Sequence, residues 1–443
     1  MFRISGFGFR IFTVTHPALE HLDSLSMRGI KLGLEPIREV LARLGHPERS
    51  CPRVLIAGTN GKGSTAAMLS SIFRAAGVRA GLHTSPHLVD VTERVRVGDA
   101  DVSRRRLGDA LEEVFAAAAR PPEVPVTYFE AVTAAAERIF AGEECRAAVV
   151  EVGLGGRLDA TNACEPVLSA VTSIDFDHTA DLGSTLAAIA REKAGVFRAG
   201  RPALSAASAP EARRVLAAEA ERVGAEFIDV PEATRVSARR ETGFGQAFTL
   251  ETPETRYAIE TPLRGAHQAS NVAVAVAAAE RLRPLFPELS AEAIGRGVAA
   301  VRWPGRLERF RVEGRTVWLD GCHNPEGARS LAAFLAGRRT PYDLLFGVMG
   351  DKDAAAIAAP LFPAAQRIVL VAPEGERAFP VDALAQRLGP LAARAERCAS
   401  PPEGLERLLR RGDAEIVVAG SLFLAGEVRP RLLGRDAAGR AIA

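Results

Sequence analysis

The sequence carries no surplus of charge of one sign: 56 lysines and arginines oppose 54 aspartates and glutamates, for a net charge of +2. That leaves no electrostatic footprint for nucleic acid or an anionic membrane, and it favours small ligands. Cysteine is scarce and scattered. Cys51, Cys145, Cys164, Cys322 and Cys398 form no C-x-x-C pair, which argues against a disulfide framework or a zinc site and fits a reducing compartment. Long apolar runs are missing too, since no stretch approaches the roughly 18 residues of a membrane span. The opening MFRISGFGFRIF is broken by Arg3 and Arg10 before a signal-peptide core forms. A cytoplasmic protein is therefore expected, with residues 1–15 a dispensable extension. Aromatic side chains make up only 6%, and no internal repeat or low-complexity tract is seen.

What is there is ordinary globular composition, 47% hydrophobic and 25% charged over 443 residues, rich in alanine, arginine and glycine. Domains run to about 100–200 residues, so two are expected. Short apolar runs recur, each followed by a helix-like stretch: RVLIAG (53–58), RAAVVEVG (146–153) and PVLSAVTSI (166–174), then TVWLDG (316–321), YDLLFGVMG (342–350), RIVLVA (367–372) and EIVVAG (415–420). Such alternation predicts an α/β fold with parallel sheets. Between 200 and 263, segments such as AFTLETPETRYAIE predict a small antiparallel addition to the first sheet. Trp303-Pro304-Gly305 ends a helical pattern before a fresh β/α series, dividing the chain into residues 1–302 and a smaller unit, 303–443.

The chemistry begins at GTNGKGST (58–65). After the strand Val54-Leu55-Ile56, the glycines at 58, 61 and 63 permit tight turning and Ser64-Thr65 can open a helix; strand, loop and helix N-terminus make a phosphate-binding loop. Backbone N–H groups would surround the phosphates, with Lys62 as a point charge and a hydroxyl near the metal. The strict G-x-x-x-x-G-K-[ST] spacing is broken, because Gly63 follows the lysine. A glycine-rich turn is the plainer alternative. Such a loop fixes only the nucleotide. EVGLGGRLDATN (151–162) puts Glu151 at the carboxyl end of a strand, where ligands bind in open α/β sheets. SIDFDHTADLGSTLAAIAREKAGV (173–196) ends a strand with Asp177-His178 and enters a helix carrying Glu192-Lys193 and stopping at Gly195. Taken singly, His178 reads as a packing or capping residue, and Lys193 as a last-turn charge that complements the helix dipole.

Further segments follow in order: GIKLGLEPI (29–37), TSPHL (84–88), ERVRV (93–97), TYFE (127–130), GAHQASNVAVA (265–275), WPGRLE (303–308), DGCHNPEGA (320–328), GVMGDKD (347–353) and AGSLFLAGEV (419–428). With the loop and the two strand-end segments, they make the chain, nearly throughout from residue 29, resemble the folylpolyglutamate synthase and dihydrofolate synthase family. That family lies within the Mur ligase group of ATP-dependent amide-bond-forming enzymes. The resemblance implies a P-loop-containing Mur-ligase-type domain followed by a smaller Rossmann-like one. It implies ATP on Gly58, Thr59, Asn60, Gly61, Lys62, Gly63 and Ser64, with Asn271, and with Arg306 and Asp320 from the second domain. Ser85 and Glu151 would bind one magnesium, with His178 and Lys193 near a second; a monovalent cation is also compatible. Lys193 would be carbamylated, and Lys62, Glu151, His178 and Lys193 would form the catalytic set. The pterin would meet Ile30, Lys31, Leu32, Thr127, Tyr128, Phe129, Glu130, Leu158 and Asp159, although Phe129 could be core and Glu130 an N-terminal helix charge. His323 and Ser421 are candidates for L-glutamate.

The activity so implied joins L-glutamate to 7,8-dihydropteroate and to reduced folates, in a monomer without nucleic-acid or membrane partners. The alternatives are folate extension alone, a Mur-type ligase acting on a UDP-linked precursor, or a P-loop switch protein. The UDP-type enzymes need a preceding nucleotide-sugar domain, and only 57 residues precede the loop here. Two departures stand beside the sites: Asp175 replaces a small residue, and Cys322 stands where alanine is usual. Cys322 is expected to be a small buried residue rather than a nucleophile.

Overall fold

The computed structural model describes residues 16–25, 33–375, 377–410 and 412–434. Apolar runs without alternation suit strands covered on both faces, and β1 (Arg53–Ala57) and β5 (Ala147–Glu151) are buried at every position. They are central strands of a sheet that also holds β2 (Ala80–His83), β3 (Val95–Val97), β4 (Ala100–Asp101), β6 (Leu168–Val171), β7 (Pro202–Ser205) and β8 (Glu226–Asp229). The order is β4-β3-β2-β5-β1-β6-β7-β8. Pairing is parallel from β2 to β8, whereas β2–β3 and β3–β4 at the other edge are antiparallel. Successive residues of β1 serve two cores: Leu55 and Ala57 join Leu111 and Ile139 on one face, while Val54 and Ile56 join Met68 and Val272 on the other.

The antiparallel strands β9 (Arg235–Glu241), β10 (Gln246–Glu251) and β11 (Arg256–Thr261) form a sheet of their own, in the order β11-β10-β9. This corrects the expectation of an addition to the first sheet. The small sheet joins the larger unit through side chains, since Phe248, Leu250, Tyr257 and Ile259 share a core with the helix Ala266–Leu282. Residues 202–229 instead continue the parallel pattern as β7 and β8.

A six-stranded sheet occupies the C-terminal part: β12 (Glu308–Val312), β13 (Arg315–Leu319), β14 (Tyr342–Phe346), β15 (Ala365–Leu370), β16 (Glu396–Arg397) and β17 (Glu415–Ala419). Its order is β12-β13-β17-β14-β15-β16, and only β12 is antiparallel. The runs TVWLDG, YDLLFGVMG, RIVLVA and EIVVAG are β13, β14, β15 and β17. Two apolar cores, one on Trp318 and Phe346 and one on Val317 and Val418, cover its faces. Among the described residues no helix is long and apolar enough to cross a membrane.

Candidate active site

β1 ends at Ala57, and the chain turns into the helix Lys62–Ala75, whose N-cap Gly61 has a left-handed φ of +88°. A Cβ on Gly61 would also run into the Asn271 side chain, so glycine is needed on both counts. The helix begins at Lys62 rather than at the expected Ser64, which makes Gly63 helical. A Cβ on Gly63 would lie 2.7 Å from Cζ2 of Trp303 and 3.2 Å from Oε2 of Glu151. The glycine that breaks the strict spacing is therefore the one that lets an indole and a carboxylate approach the loop.

The chain leaving β6 pins this loop from behind. Thr59 N–H donates to the Ser173 carbonyl at 2.7 Å and Asn60 N–H to Ser173 Oγ at 3.0 Å, while Lys62 Nζ donates to the Thr59 carbonyl at 3.1 Å. In front of it lies a cavity of about 410 Å³. The first unit lines it with the loop from Gly58 to Ser64, Ser85, Glu151, His178, Lys193 and Asn271, and the second with Arg306, Asp320 and His323. The positive end of the helix Lys62–Ala75 and its free N–H groups make that cavity suited to anions.

Four ionisable groups are shifted by burial. Glu151, 5% exposed at the end of β5, accepts the Ser85 N–H at 3.1 Å on Oε2. Burial pushes its carboxyl up, against the opposing pull of Lys62, the Ser85 N–H and Arg306. Lys193, also 5% exposed, donates from Nζ to the Gly58 carbonyl at 2.8 Å. Burial first, and then the Lys62 charge, lowers its pKa to about 7, so a large share of this amine is neutral near neutral pH. Burial lowers the His323 imidazole to about 4, and its Nδ1 lies 3.0 Å from the Gly321 carbonyl. Asp320 organises the turn beyond β13 by accepting the N–H groups of Leu307 at 2.9 Å and Cys322 at 3.0 Å. Burial raises the Cys322 thiol far above its ordinary range, so it is no nucleophile.

Other expected site residues lie outside the cavity wall. Ile30, Lys31 and Leu32 fall outside the described residues. Thr127 caps the helix Tyr128–Gly142, and Glu130 reaches back to the Thr127 N–H and Oγ1 at 2.8 Å each. Tyr128 lies under the Arg94 guanidinium, 5.2 Å from the ring centroid, and Phe129 stacks on His83 at 6.0 Å. Phe129 also packs so close to Gly153 that a Cβ there would meet its ring at 2.7 Å. Asp159 accepts the Leu154 N–H at 2.8 Å, and the Leu158 carbonyl accepts from Gly33 at 3.3 Å. This group thus sits behind Gly153 and Leu154, which do line the cavity. Ser421 is 1% exposed and caps the helix Leu422–Leu433; its neighbour Leu422 reaches the cavity instead.

Residues 56–279 match the Mur ligase middle domain, and residues 305–422 match the Mur ligase glutamate ligase domain. A Bacillus subtilis protein named dihydrofolate synthase/folylpolyglutamate synthase is 34% identical over 95% of this chain and 100% of its own length. The chain belongs to the folylpolyglutamate synthase/dihydrofolate synthase family of Mur ligases. It is 38% identical, over 94% of its length, to a probable bifunctional folylpolyglutamate synthase/dihydropteroate synthase of Haloferax volcanii, of which it spans 50%. The Mycobacterium tuberculosis folylpolyglutamate synthase complexed with ADP superposes with a TM-score of 0.87 at 33% identity, covering 95% of this chain and 98% of the other. A bifunctional family member with Mn, AMPPNP and L-glutamate bound gives a TM-score of 0.81 at 31% identity, covering 94% and 98%.

A magnesium of the kind the family implies is testable against these donors. Among the described residues no three His, Cys, Asp or Glu side chains gather into a metal cage. The Ser85 hydroxyl and the buried Glu151 carboxylate, beside a phosphate-binding loop, do fit an ion that keeps several waters and shares its shell with phosphate. Polar contacts across the units were not foreseen. Asp177 accepts Lys352 Nζ at 3.0 Å and Asn324 Nδ2 at 3.2 Å, and Asn324 Nδ2 also reaches Asn60 Oδ1 at 2.9 Å. Burial would raise the Asp177 carboxyl, but Lys352 and the flanking His178 and His323 outweigh it and hold it well below the usual carboxylate range. Asp175, the first departure, ion-pairs with Arg329 at 2.7 Å.

Proposed function

We propose that this chain uses ATP to join L-glutamate to the carboxylate of 7,8-dihydropteroate and to the γ-carboxylate of reduced folates. The observation that carries this reading is the cavity in which the loop, Ser85 and Glu151 of one unit face Arg306, Asp320 and His323 of the other. The residue boundary between the two domains is put at 302/303, in the Trp303-Pro304-Gly305 linker.

A carboxylate resists attack by an amine, so the γ-phosphoryl group of ATP is first transferred to it, giving an acyl phosphate. The amine of glutamate then displaces phosphate. Lys62 and the loop N–H groups offset charge on the phosphates, Asn271 and Asp320 hold the nucleotide, and Arg306 adds a cation from the second domain. Ser85 and Glu151 would hold one magnesium, and His178 with Lys193 a second; when bound, these ions neutralise phosphoryl charge. Lys193 is carbamylated: its neutral amine attacks carbon dioxide, forms an N–C bond and releases a proton, leaving an anion where a cation stood. His323 is neutral and able to bind the incoming glutamate, with Ser421 fixing the helix start beside it. The pterin is assigned to the side of the cavity walled by Gly153 and Leu154, behind which Thr127, Tyr128, Phe129, Glu130, Leu158 and Asp159 pack. Closure of the domains excludes water. The protein works as a cytoplasmic monomer.

The test incubates pure protein with ATP, magnesium and labelled glutamate, with 7,8-dihydropteroate or a reduced folate in separate tubes. Label should enter both acceptors. Incorporation with the folate alone refutes the double activity, and incorporation with neither overturns the reading.

A further inference from the structure

The chemistry proposed above requires a proton acceptor that none of the assigned residues supplies. L-Glutamate arrives with its amino group largely protonated at neutral pH, and an ammonium has no lone pair with which to attack an acyl phosphate. Of the ionisable groups lining the cavity, Glu151, His178 and Lys193 are placed on the metal side, and Asp320 holds a backbone N–H on each oxygen. Asp177, despite its burial, is kept ionised by Lys352 and the flanking histidines, which leaves it a weak base. Burial lowers His323 to about 4, and His267 lies beside Asp320 and Arg306 on the nucleotide side.

Glu326 is the group left over. It lines the same cavity from the first turn of the helix Pro325–Arg338, on the segment that carries His323. With Asn324 it clasps a residue of the phosphate-binding loop: Asn60 Nδ2 donates to Glu326 Oε2 and, at 3.2 Å, to Asn324 Oδ1. Ser173 Oγ also donates to Oε2, at 3.4 Å, so both contacts fall on one oxygen and Oε1 has no hydrogen bond among the described residues. No cation neutralises it: Arg329 pairs with Asp175 and Lys352 with Asp177, and Glu326 forms no ion pair among the described residues. Burial, joined by the Asp175 charge, pushes its carboxyl above the ordinary glutamate value, against the Asn60 and Ser173 hydrogen bonds and the Arg329 charge. A carboxylate with one free oxygen thus stands between the loop that holds the phosphates and the residue placed at glutamate.

We propose that Glu326 is the general base that takes the proton from the ammonium group of the incoming glutamate. The assignment rests on the ligase function proposed above. One ammonium proton passes to Oε1 of Glu326 and frees the nitrogen lone pair. The nitrogen then bonds to the acyl carbon, the carbon–oxygen bond to phosphate breaks with its electron pair leaving on the phosphate, and the second nitrogen proton goes to that phosphate. Glu326 afterwards returns its proton to water. Glu326 belongs to the second unit and its partners Asn60 and Ser173 to the first, so the base is in place only where the two units meet at the loop.

Glu326→Gln tests this, since the amide oxygen can still accept from Asn60 but cannot take a proton. With ATP and 7,8-dihydropteroate at pH 7, kcat for glutamate should fall by about a hundredfold. Hydroxylamine, already largely unprotonated at that pH, needs no base, so the variant should form the hydroxamate within about twofold of the wild-type rate, which also verifies that it is folded. Equal losses with both nucleophiles would show that Glu326 only fastens Asn60, and undiminished ligation of glutamate would show that it has no part in the step; either result overturns the assignment. A wild-type enzyme that forms neither the amide nor the hydroxamate would instead bring down the proposed function itself.

Discussion

Lys193 and Gly63 are the two single residues on which the proposed chemistry depends most. Replacing Lys193 by alanine should nearly abolish ligation, and added bicarbonate or a short carboxylate should restore part of it; full activity in the variant would remove the carbamate from the mechanism. Because burial lowers this amine to about 7, only its unprotonated form, dominant above that pH, can take up carbon dioxide. A carbon-13 carbamate signal at fixed dissolved carbon dioxide should therefore fade as pH drops below about 7, and a signal unchanged down to pH 5 would contradict this. Gly63→Ala forces a methyl against Trp303. It should cost at least about tenfold in kcat/KM for ATP, with partial recovery when Trp303 is also cut to leucine. Sequence alone exposed Gly63 as a break in spacing, but its cause is an indole 240 positions along the chain.

Elements were legible where their pattern was local. The runs at β1, β5, β6, β13, β14, β15 and β17 are continuous and apolar because both faces of each strand are covered, and each is followed by helix-like sequence. β2 and the β3–β4 edge passed unnoticed, because Gly81 and His83 interrupt the apolar pattern of β2 and the other two strands are only three and two residues long. The strands after 235 were read correctly as antiparallel, but alternation says which face is buried and not which sheet a strand joins. TYFE stood out as a motif, and the structure uses two of its residues as a capping box. Thr127→Val should thus lower stability by about 1 kcal/mol in urea melts, while Thr127→Ser should not. If Thr127 also touches the pterin, Thr127→Val will in addition raise the dihydropteroate KM; a melt indistinguishable from wild type would dismiss the cap.

For the whole molecule, the site is a contact between two units that each look complete. Glu151 with Lys62, and Asp177 with Lys352 and Asn324, meet across spans of sequence that no periodicity reports. Lys352→Met leaves Asp177 without the cation that holds its carboxylate, so kcat should fall while the melting temperature of each unit changes little; Arg329→Ala, which breaks a more exposed pair, should have a smaller effect. Equal effects from the two would show that the Asp177 contact has no special part in domain closure. The central claim is that ATP is spent only on making an amide between a pterin-linked carboxylate and glutamate. Measuring ADP release with acceptor and glutamate supplied singly and together tests it most directly. One ADP should appear per glutamate incorporated, and only when both are present; sustained ADP release without glutamate would contradict the account and mark the chain as an ATPase.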